Sequence, residues 1–373
     1  MKLVFLRPIV WNDFKRQLYN VTLPLVARLL GLRAEFPNVH NVADLGTTLS
    51  GKCLYFTWHT ADPRRNVWNI TLAPFDGYIE LDSLGYADYS SLARDERVFK
   101  MSQMVSLKAA NKFFDTFVRH YISANRSKYR QPDSSSSIYT PRSVFVPLQV
   151  PIDQVARTVF VKTYRIPCLV YEALRGTGYS LVVKQHPKDN CDLFGDTPAP
   201  TSLPHWWLRE SGNPYDGFEE LKCLIREKKV GVSSDSIHPL IQQSDAVVTA
   251  NSGVGMEALF HLKPVYVAGR PIYHWIANVL RRETDFLRLR QPFAASRSKE
   301  DIVRFVYYLF HNYYVDCSRI ECLKKRIHAI VRITSDGSTH GGDRGRFSIS
   351  CIKGQCRNRA YGPQTANSAI SQK

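Results

Sequence analysis

Short apolar runs rich in β-branched and aromatic residues recur along this chain, separated by polar turns or by stretches with helical spacing. Cys53 to Trp58 (CLYFTW) predicts a strand that ends at His59, and Tyr78 to Leu81 predicts another that ends at Asp82. Met104 to Tyr121 has helical periodicity. In the second half, strands are predicted at 144–150, 181–185, 230–232, 247–250 and 264–268. Helices are predicted from about Asp153 to Leu174 and from Val254 to Leu262. Strands that alternate with helices predict parallel sheets. The polar segment Ser123 to Ser137 ends in a serine run and reads as a linker. The expected architecture is α/β, with two Rossmann-like domains (1–140 and 141–333) facing a cleft. Residues 334–373 are poor in large aliphatics and rich in Gly, Ser, Arg and Asn, which predicts a disordered basic tail.

The densest candidate chemistry lies between Lys184 and Tyr273. The run Val247 to Ala250 is followed by Asn251-Ser252-Gly253 and then by helical spacing, so these three residues open a helix at the carboxyl end of a strand. Unpartnered N–H groups and the positive end of the helix dipole suit a phosphate there. Gly253 and Gly255 would let an anion approach the backbone. Glu257, on the first turn, is placed to accept ribose hydroxyls. His186 ends a preceding apolar strand, and Pro187 holds it extended, which fixes where the imidazole points. Lys184 is a second anion contact on the same strand. Arg270 and Tyr273 follow the last strand, and His59 and Asp62 follow the first. In open α/β sheets ligands lie outside the carboxyl ends of strands, where these candidates fall. The same pattern in an ordinary protein is a capped helix, with Ser252 or Asn251 as the cap.

Composition narrows the class. With 373 residues, 44% hydrophobic and 22% charged, two globular domains are the prior. The formal charge of +17 suits an anionic partner, whether a nucleotide-sugar, an acidic glycan or a membrane surface. Nucleic acid is the disfavoured partner, because no RNA-recognition signature accompanies the basic residues. The run from Phe113 to Arg130 mixes aromatic and basic residues, and reads as a core stripe with a solvated basic end. No apolar run is long enough to predict a transmembrane helix, and the first residues do not read as a signal peptide. The eight cysteines are scattered without zinc spacing, so no metal site is expected, and no Asp-x-Asp occurs.

KQHP at 184–187 and the segment 237–273 (IHPLIQQSDAVVTANSGVGMEALFHLKPVYVAGRPIY) carry a family resemblance, joined by VFVPLQVPIDQV at 144–155 and GYIELDSLGYADYSSLA at 77–93. Together they resemble the capsule polysaccharide biosynthesis family, similar to retaining β-Kdo glycosyltransferases. The resemblance implies a GT-B-type fold. Its N-terminal domain faces the acceptor and supplies catalysis, and its C-terminal domain binds the nucleotide-sugar. It also implies CMP-Kdo as donor substrate with no further cofactor, and an anionic glycolipid or polysaccharide acceptor. A cytoplasmic protein follows, in peripheral contact with the inner face of the membrane. Asp82 matches the acidic residue of an Asp-x-x-Gly-Tyr motif and becomes the candidate nucleophile, preferred over Glu80. His186 becomes a catalytic contact to the donor phosphate or carboxylate, and His238 a contact to the base or sugar. The alternatives are another GT-B-like enzyme (a polyol-phosphate transferase or a nucleotide-sugar epimerase) or a non-catalytic polysaccharide- or nucleic-acid-binding protein.

Overall fold

The computed structural model describes residues 1–7, 12–38, 49–62, 64–132, 142–202 and 212–335. The predicted basic tail lies outside them from residue 336 onward, as does the second part of the predicted linker. The described residues form two six-stranded sheets. The first contains β1 (Lys2–Phe5), β2 (Ala34–Glu35), β3 (Cys53–Trp58), β4 (Val67–Leu72) and β5 (Tyr78–Asp82). The second contains β6 (Ser143–Pro147), β7 (Ser180–Lys184), β8 (Gly231–Val232), β9 (Ala246–Thr249), β10 (Val265–Val267) and β11 (Asn278–Val279). A last strand, β12 (Tyr314–Asp316), returns to the first sheet. The orders are β12-β5-β4-β3-β1-β2 and β11-β10-β9-β6-β7-β8.

The second sheet is parallel throughout, as the alternation of strands and helices predicts. The first is mixed, because β5 runs antiparallel to both β4 and β12. Leu72 and Tyr78 are too close in sequence for the crossover that a parallel pair requires, so β4 and β5 form a hairpin instead. The carboxyl end of β5 therefore points away from the carboxyl ends of β3 and β4.

The helices are α1 (Asp13–Gln17), α2 (Leu23–Leu29), α3 (Ser91–Arg94), α4 (Arg97–Gln103), α5 (Leu107–Phe113) and α6 (Arg119–Ser123). They continue with α7 (Arg165–Leu174), α8 (Phe218–Arg226), α9 (Ile237–Gln243), α10 (Gly253–Phe260), α11 (Lys299–Tyr308) and α12 (Ile320–Ser335). The helix expected over 153–174 is shorter than predicted. Asp153 accepts the Val155 N–H and Thr163 Oγ1 accepts the Gln149 N–H. Such side-chain bonds offer the backbone an alternative to helix, and only a short 3₁₀ turn forms before α7.

Alternation along the central strands divides the core. Phe145 and Val247 face a cluster with Met256, Phe260 and Phe305, whereas Val144, Val146 and Val248 face Ile166, Val170 and Phe218. The first of these clusters also takes in Phe75, Phe113 and Phe114, so α5 and the β4–β5 turn pack directly on the second domain. A third cluster covers the first sheet, where Leu3, Phe5 and Phe56 meet Leu23 of α2 and Leu323 and Ile327 of α12. Residues 314–335 thus belong with the first sheet, which corrects the expected extent of the second domain (141–333). β5 presents an edge that β12 pairs, and the apolar stripe of α12 needs a sheet face to cover.

Candidate active site

A cavity of about 470 Å³ opens between the two sheets and is walled by both. That size suits a small-molecule ligand. From the first domain come His59, Thr71 and Glu80; from the second come His186, Ser252 and Glu257. The segment 127–131, which joins the domains in sequence, forms a third wall.

On the second-domain wall, Ser252 caps α10, its Oγ accepting the Val254 N–H at 3.3 Å. The expected strand–turn–helix is present, and Asn251, Ser252 and Gly253 all line the cavity. Asn251 is fixed by two bonds, its backbone N–H to Gln149 Oε1 (3.1 Å) and its Nδ2 to the Val155 carbonyl (2.6 Å). Gly253 lies against the first domain, since a Cβ there would stand 3.0 Å from Pro74 Cβ. Gly255 is a correction. It does not line the cavity, and the Tyr273 hydroxyl occupies the space its Cβ would need. That hydroxyl donates to the Ser252 carbonyl. Gly255 therefore lets a tyrosine brace the helix start rather than letting an anion approach.

Glu257 sits one turn into α10, is only 2% exposed, and accepts from the Tyr121 hydroxyl at 3.4 Å. Burial pushes its carboxyl up to about 8, against the opposing pull of Ser127, Tyr121 and Lys128. His186 Nδ1 accepts the Lys188 N–H at 3.1 Å, which leaves the proton of the neutral ring on Nε2. Burial first, then the Lys128 charge, lowers this imidazole to about 4. At neutral pH it is an uncharged donor. Lys184 also lines the cavity, but its ammonium donates to the Ser234 and Asp235 carbonyls at 2.9 and 2.7 Å. Most of its bonding capacity holds that loop.

His238 requires a second correction. It is buried, does not line the cavity, and its Nε2 meets the Arg126 carbonyl at 2.7 Å while Nδ1 meets His261 Nε2 at 2.9 Å. Rather than touching a base or sugar, it pins the backbone immediately before the third wall. Arg270 also points elsewhere: its N–H donates to Asp88 and its guanidinium to the Ala93 carbonyl, tying the two domains together. Tyr273 does line the cavity.

The first-domain wall departs most from expectation. Asp82 is 1% exposed and does not line the cavity. Its oxygens accept the N–H groups of Leu84, Gly85 and Ser91 and the hydroxyls of Ser91 and Tyr313, at 2.7 to 3.1 Å. With its lone pairs so occupied, the carboxylate organises the 83–91 loop instead of facing a substrate. Glu80, two residues earlier on the same strand face, does line the cavity. Burial, then the Asp82 charge, raises it to about 8, with Lys128 opposing. The reason for the exchange is strand direction. In the antiparallel β5, Glu80 pairs with Thr71 near the carboxyl end of β4, while Asp82 pairs back at Asn69.

His59 lines the cavity with a left-handed backbone (φ 47°), its ring stacked between those of Trp58 and Tyr86. Burial and the nearby lysines lower it to about 3. Asp62 is absent from the lining and is held by the Arg64 guanidinium.

The sequence reading missed the third wall, having assigned residues 127–131 to a linker. Lys128 is its centre. The residue as a whole keeps an exposed surface yet is densely surrounded by protein, and that burial lowers its pKa while Asp153, Glu80 and Glu257 favour its charge. That one lysine is felt by His59, Glu80, His186 and Glu257 shows how closely the walls converge. No local sequence signal distinguishes it from a solvated basic run. Among the described residues, no three His, Cys, Asp or Glu side chains are grouped as metal ligands would be.

Two Rossmann-like domains with a cavity between them define a GT-B-type architecture, and comparison with known proteins agrees. Residues 219–287 match the family described as capsule polysaccharide biosynthesis protein. The chain is similar to the β-Kdo 2,7 transferase structure of KpsC from Thermosulfurimonas dismutans, at 16% identity and a TM-score of 0.50, covering 90% of this chain and 99% of that one. The β-Kdo 2,4 transferase of the same KpsC gives 16% identity and 0.47, over 85% and 92%. A UDP-GlcNAc 2-epimerase from Methanocaldococcus jannaschii gives 12% and 0.31, over 83% and 99%. No curated protein matches the sequence. The match over 219–287 includes α8 after its first residue, α9 and α10, and so contains the helix that bears Ser252 and Glu257. The first structural likeness supports the fold along nearly the whole chain.

Proposed function

We propose that this protein is a retaining glycosyltransferase that moves Kdo from CMP-Kdo to an anionic glycolipid or polysaccharide in capsule or surface-polysaccharide assembly. The observation that carries the reading is that one cavity is lined by a helix N-terminus and a neutral histidine from one domain and by a buried carboxyl from the other. The similarity of residues 219–287 to the capsule family supports the same conclusion.

In this reading the donor phosphate rests at Ser252 and Gly253, with His186 Nε2–H donating to it as CMP leaves, so charge is stabilised without a metal. Glu80 takes the role that the resemblance gives to Asp82. Its ionised oxygen attacks the anomeric carbon, the bond to the phosphate oxygen breaks, and a glycosyl ester forms. An acceptor hydroxyl then displaces Glu80, its proton passing to the released Glu80 carboxylate, which burial makes the stronger base, and the second inversion restores the original configuration. The Lys128 ammonium favours the ionised state that attack requires. Glu257 meets the ribose. No helix among the described residues is long and apolar enough to cross a membrane. Work at the inner membrane face through surface contact is part of this proposal.

The test is CMP release from CMP-Kdo generated in situ, with a Kdo-terminated glycolipid as acceptor, in wild type, Glu80→Gln and Asp82→Asn. Acceptor-dependent release abolished in Glu80→Gln supports the assignment. A folded Glu80→Gln that retains full activity rejects Glu80, and failure of the wild type to bind CMP rejects the transferase.

A further inference from the structure

Three cavity residues of the first domain stand side by side. Trp58 pairs with Ile70 across β3 and β4, so His59 follows beside Thr71, and Thr71 pairs with Glu80 across β4 and β5. All three line the cavity. With neighbouring strands about 4.8 Å apart, the backbones at His59 and Glu80 are separated by roughly 10 Å. This row has hydrogen-bonding capacity that the protein leaves unused. Among the described residues, nothing bonds to either nitrogen of the His59 ring. A neutral imidazole offers one donor and one acceptor. Thr71 Oγ1 accepts the Asn69 Nδ2–H at 2.7 Å, and its own proton finds no acceptor among those residues.

The His59 ring is nonetheless held in place. Trp58 and Tyr86 stack on it at 5.5 and 5.2 Å, so its faces are covered and only its edge, which carries the nitrogens, can meet the cavity. Its left-handed backbone is costly for a residue with a Cβ and persists only where the surroundings fix it. Asn69, 2% exposed, does so. Its Oδ1 accepts the Thr60 N–H at 3.0 Å, and its Nδ2 donates to the Gly85 carbonyl at 3.1 Å as well as to Thr71. One buried amide thus fixes the turn after His59, the Thr71 hydroxyl and the loop that brings Tyr86. Unpartnered polar groups set this firmly beside Glu80 are built to meet a ligand.

The direction of attack says which part of the substrates lies there. When Glu80 displaces the phosphate, the sugar stands between Glu80 on the first domain and the phosphate on the second. The acceptor hydroxyl then arrives on the face that CMP has vacated. The wall beside Glu80 therefore meets the sugar in transit. Uncharged groups that give and take hydrogen bonds match hydroxyls, each of which does both, and not an anion. We infer that His59 and Thr71 hold the transferred sugar by its hydroxyls and so help to select it. This rests on the transferase reading, with Glu80 as its nucleophile.

Initial-rate kinetics of the full chain test this, with CMP-Kdo generated in situ and the Kdo-terminated glycolipid as acceptor, alongside calorimetric titration with CMP. His59→Phe keeps a flat ring for the stack and breaks no internal hydrogen bond, so its effect on the sugar is direct. It should lower kcat/KM for CMP-Kdo by about tenfold or more, with CMP affinity and the acceptor KM changed by less than about threefold. Thr71→Val should act in the same direction by about fivefold, and Thr71→Ser, which keeps the hydroxyl, should stay near wild type. Urea unfolding checks each variant, and Thr71→Val decides if the left-handed backbone keeps His59→Phe from folding. Unchanged kcat/KM, an equal loss of CMP affinity, or a loss confined to the acceptor KM would overturn the inference and leave the transferase standing. A wild type that releases no CMP from CMP-Kdo would reject the Kdo-transferase reading, and the assignment of His59 and Thr71 with it.

Discussion

At the scale of single residues, Glu80 and Asp82 are two carboxylates on one strand face with opposite surroundings. Asp82 is saturated by backbone and hydroxyl donors, whereas Glu80 is buried in a cavity wall and held protonated. If ionised Glu80 attacks the donor, kcat/KM should rise with pH through about 8 in the wild type. A profile already flat above pH 6 would reject that assignment. Stability should move the other way. Between the ordinary carboxyl value of 4.5 and about 8, the unfolded chain releases protons that folded Glu80 and Glu257 keep. Stability therefore falls as pH rises across that window, and Glu80→Gln should flatten the fall in urea midpoint. Asp82→Asn removes the charge that its donors converge on. It should cost about 3 kcal/mol in urea unfolding, whatever it does to turnover.

At the scale of elements, the start of α10 depends on packing as much as on its cap. Gly255→Ala drives a methyl into the Tyr273 hydroxyl and should destabilise by about 1–3 kcal/mol. Tyr273→Phe in the same chain removes the clashing oxygen, so the double variant should recover part of that loss. Additive losses would reject the contact as the cause. The His238–His261 pair does comparable work at a distance, since it fixes the Arg126 carbonyl at the root of the third wall. His238→Ala should raise KM while leaving the free energy of urea unfolding within about 1 kcal/mol of wild type. A loss confined to stability would make the pair merely structural. The glycine and histidine motifs were visible in the sequence, but their partners, 18 and 23 residues away or on another element, were not.

At the scale of the molecule, the two domains exchange chain. Helices α4 and α5 precede the second sheet yet pack on α11, and Arg304 donates to the Gln103 carbonyl. β12 and α12 follow the second sheet yet complete the first. Deleting residues 314–335 strips β5 of its edge partner and uncovers Leu54, Ile79 and Leu81. The shortened chain should aggregate or show proteolysis within residues 50–82 at protease levels that spare the full chain, as peptide mapping would reveal.

The strands that carry the cavity were legible because local sequence decides them. β-branched runs, turn residues and the Ser252 cap act over a few neighbours, and so the α/β class, the strand–turn–helix at 247–260 and the placement of His186 followed from the sequence itself. Even the hairpin direction of β5 was implicit in the short link from Leu72 to Tyr78, although the strand end and the Asp-x-x-Gly-Tyr motif point to Asp82 instead. Tertiary structure alone decided which carboxyl meets the cavity, that His238 serves as a strut, and that a basic run at 127–131 is a wall. Those outcomes depend on contacts between residues far apart in the chain, where strand direction and the burial of charge are fixed by partners that local spacing does not encode.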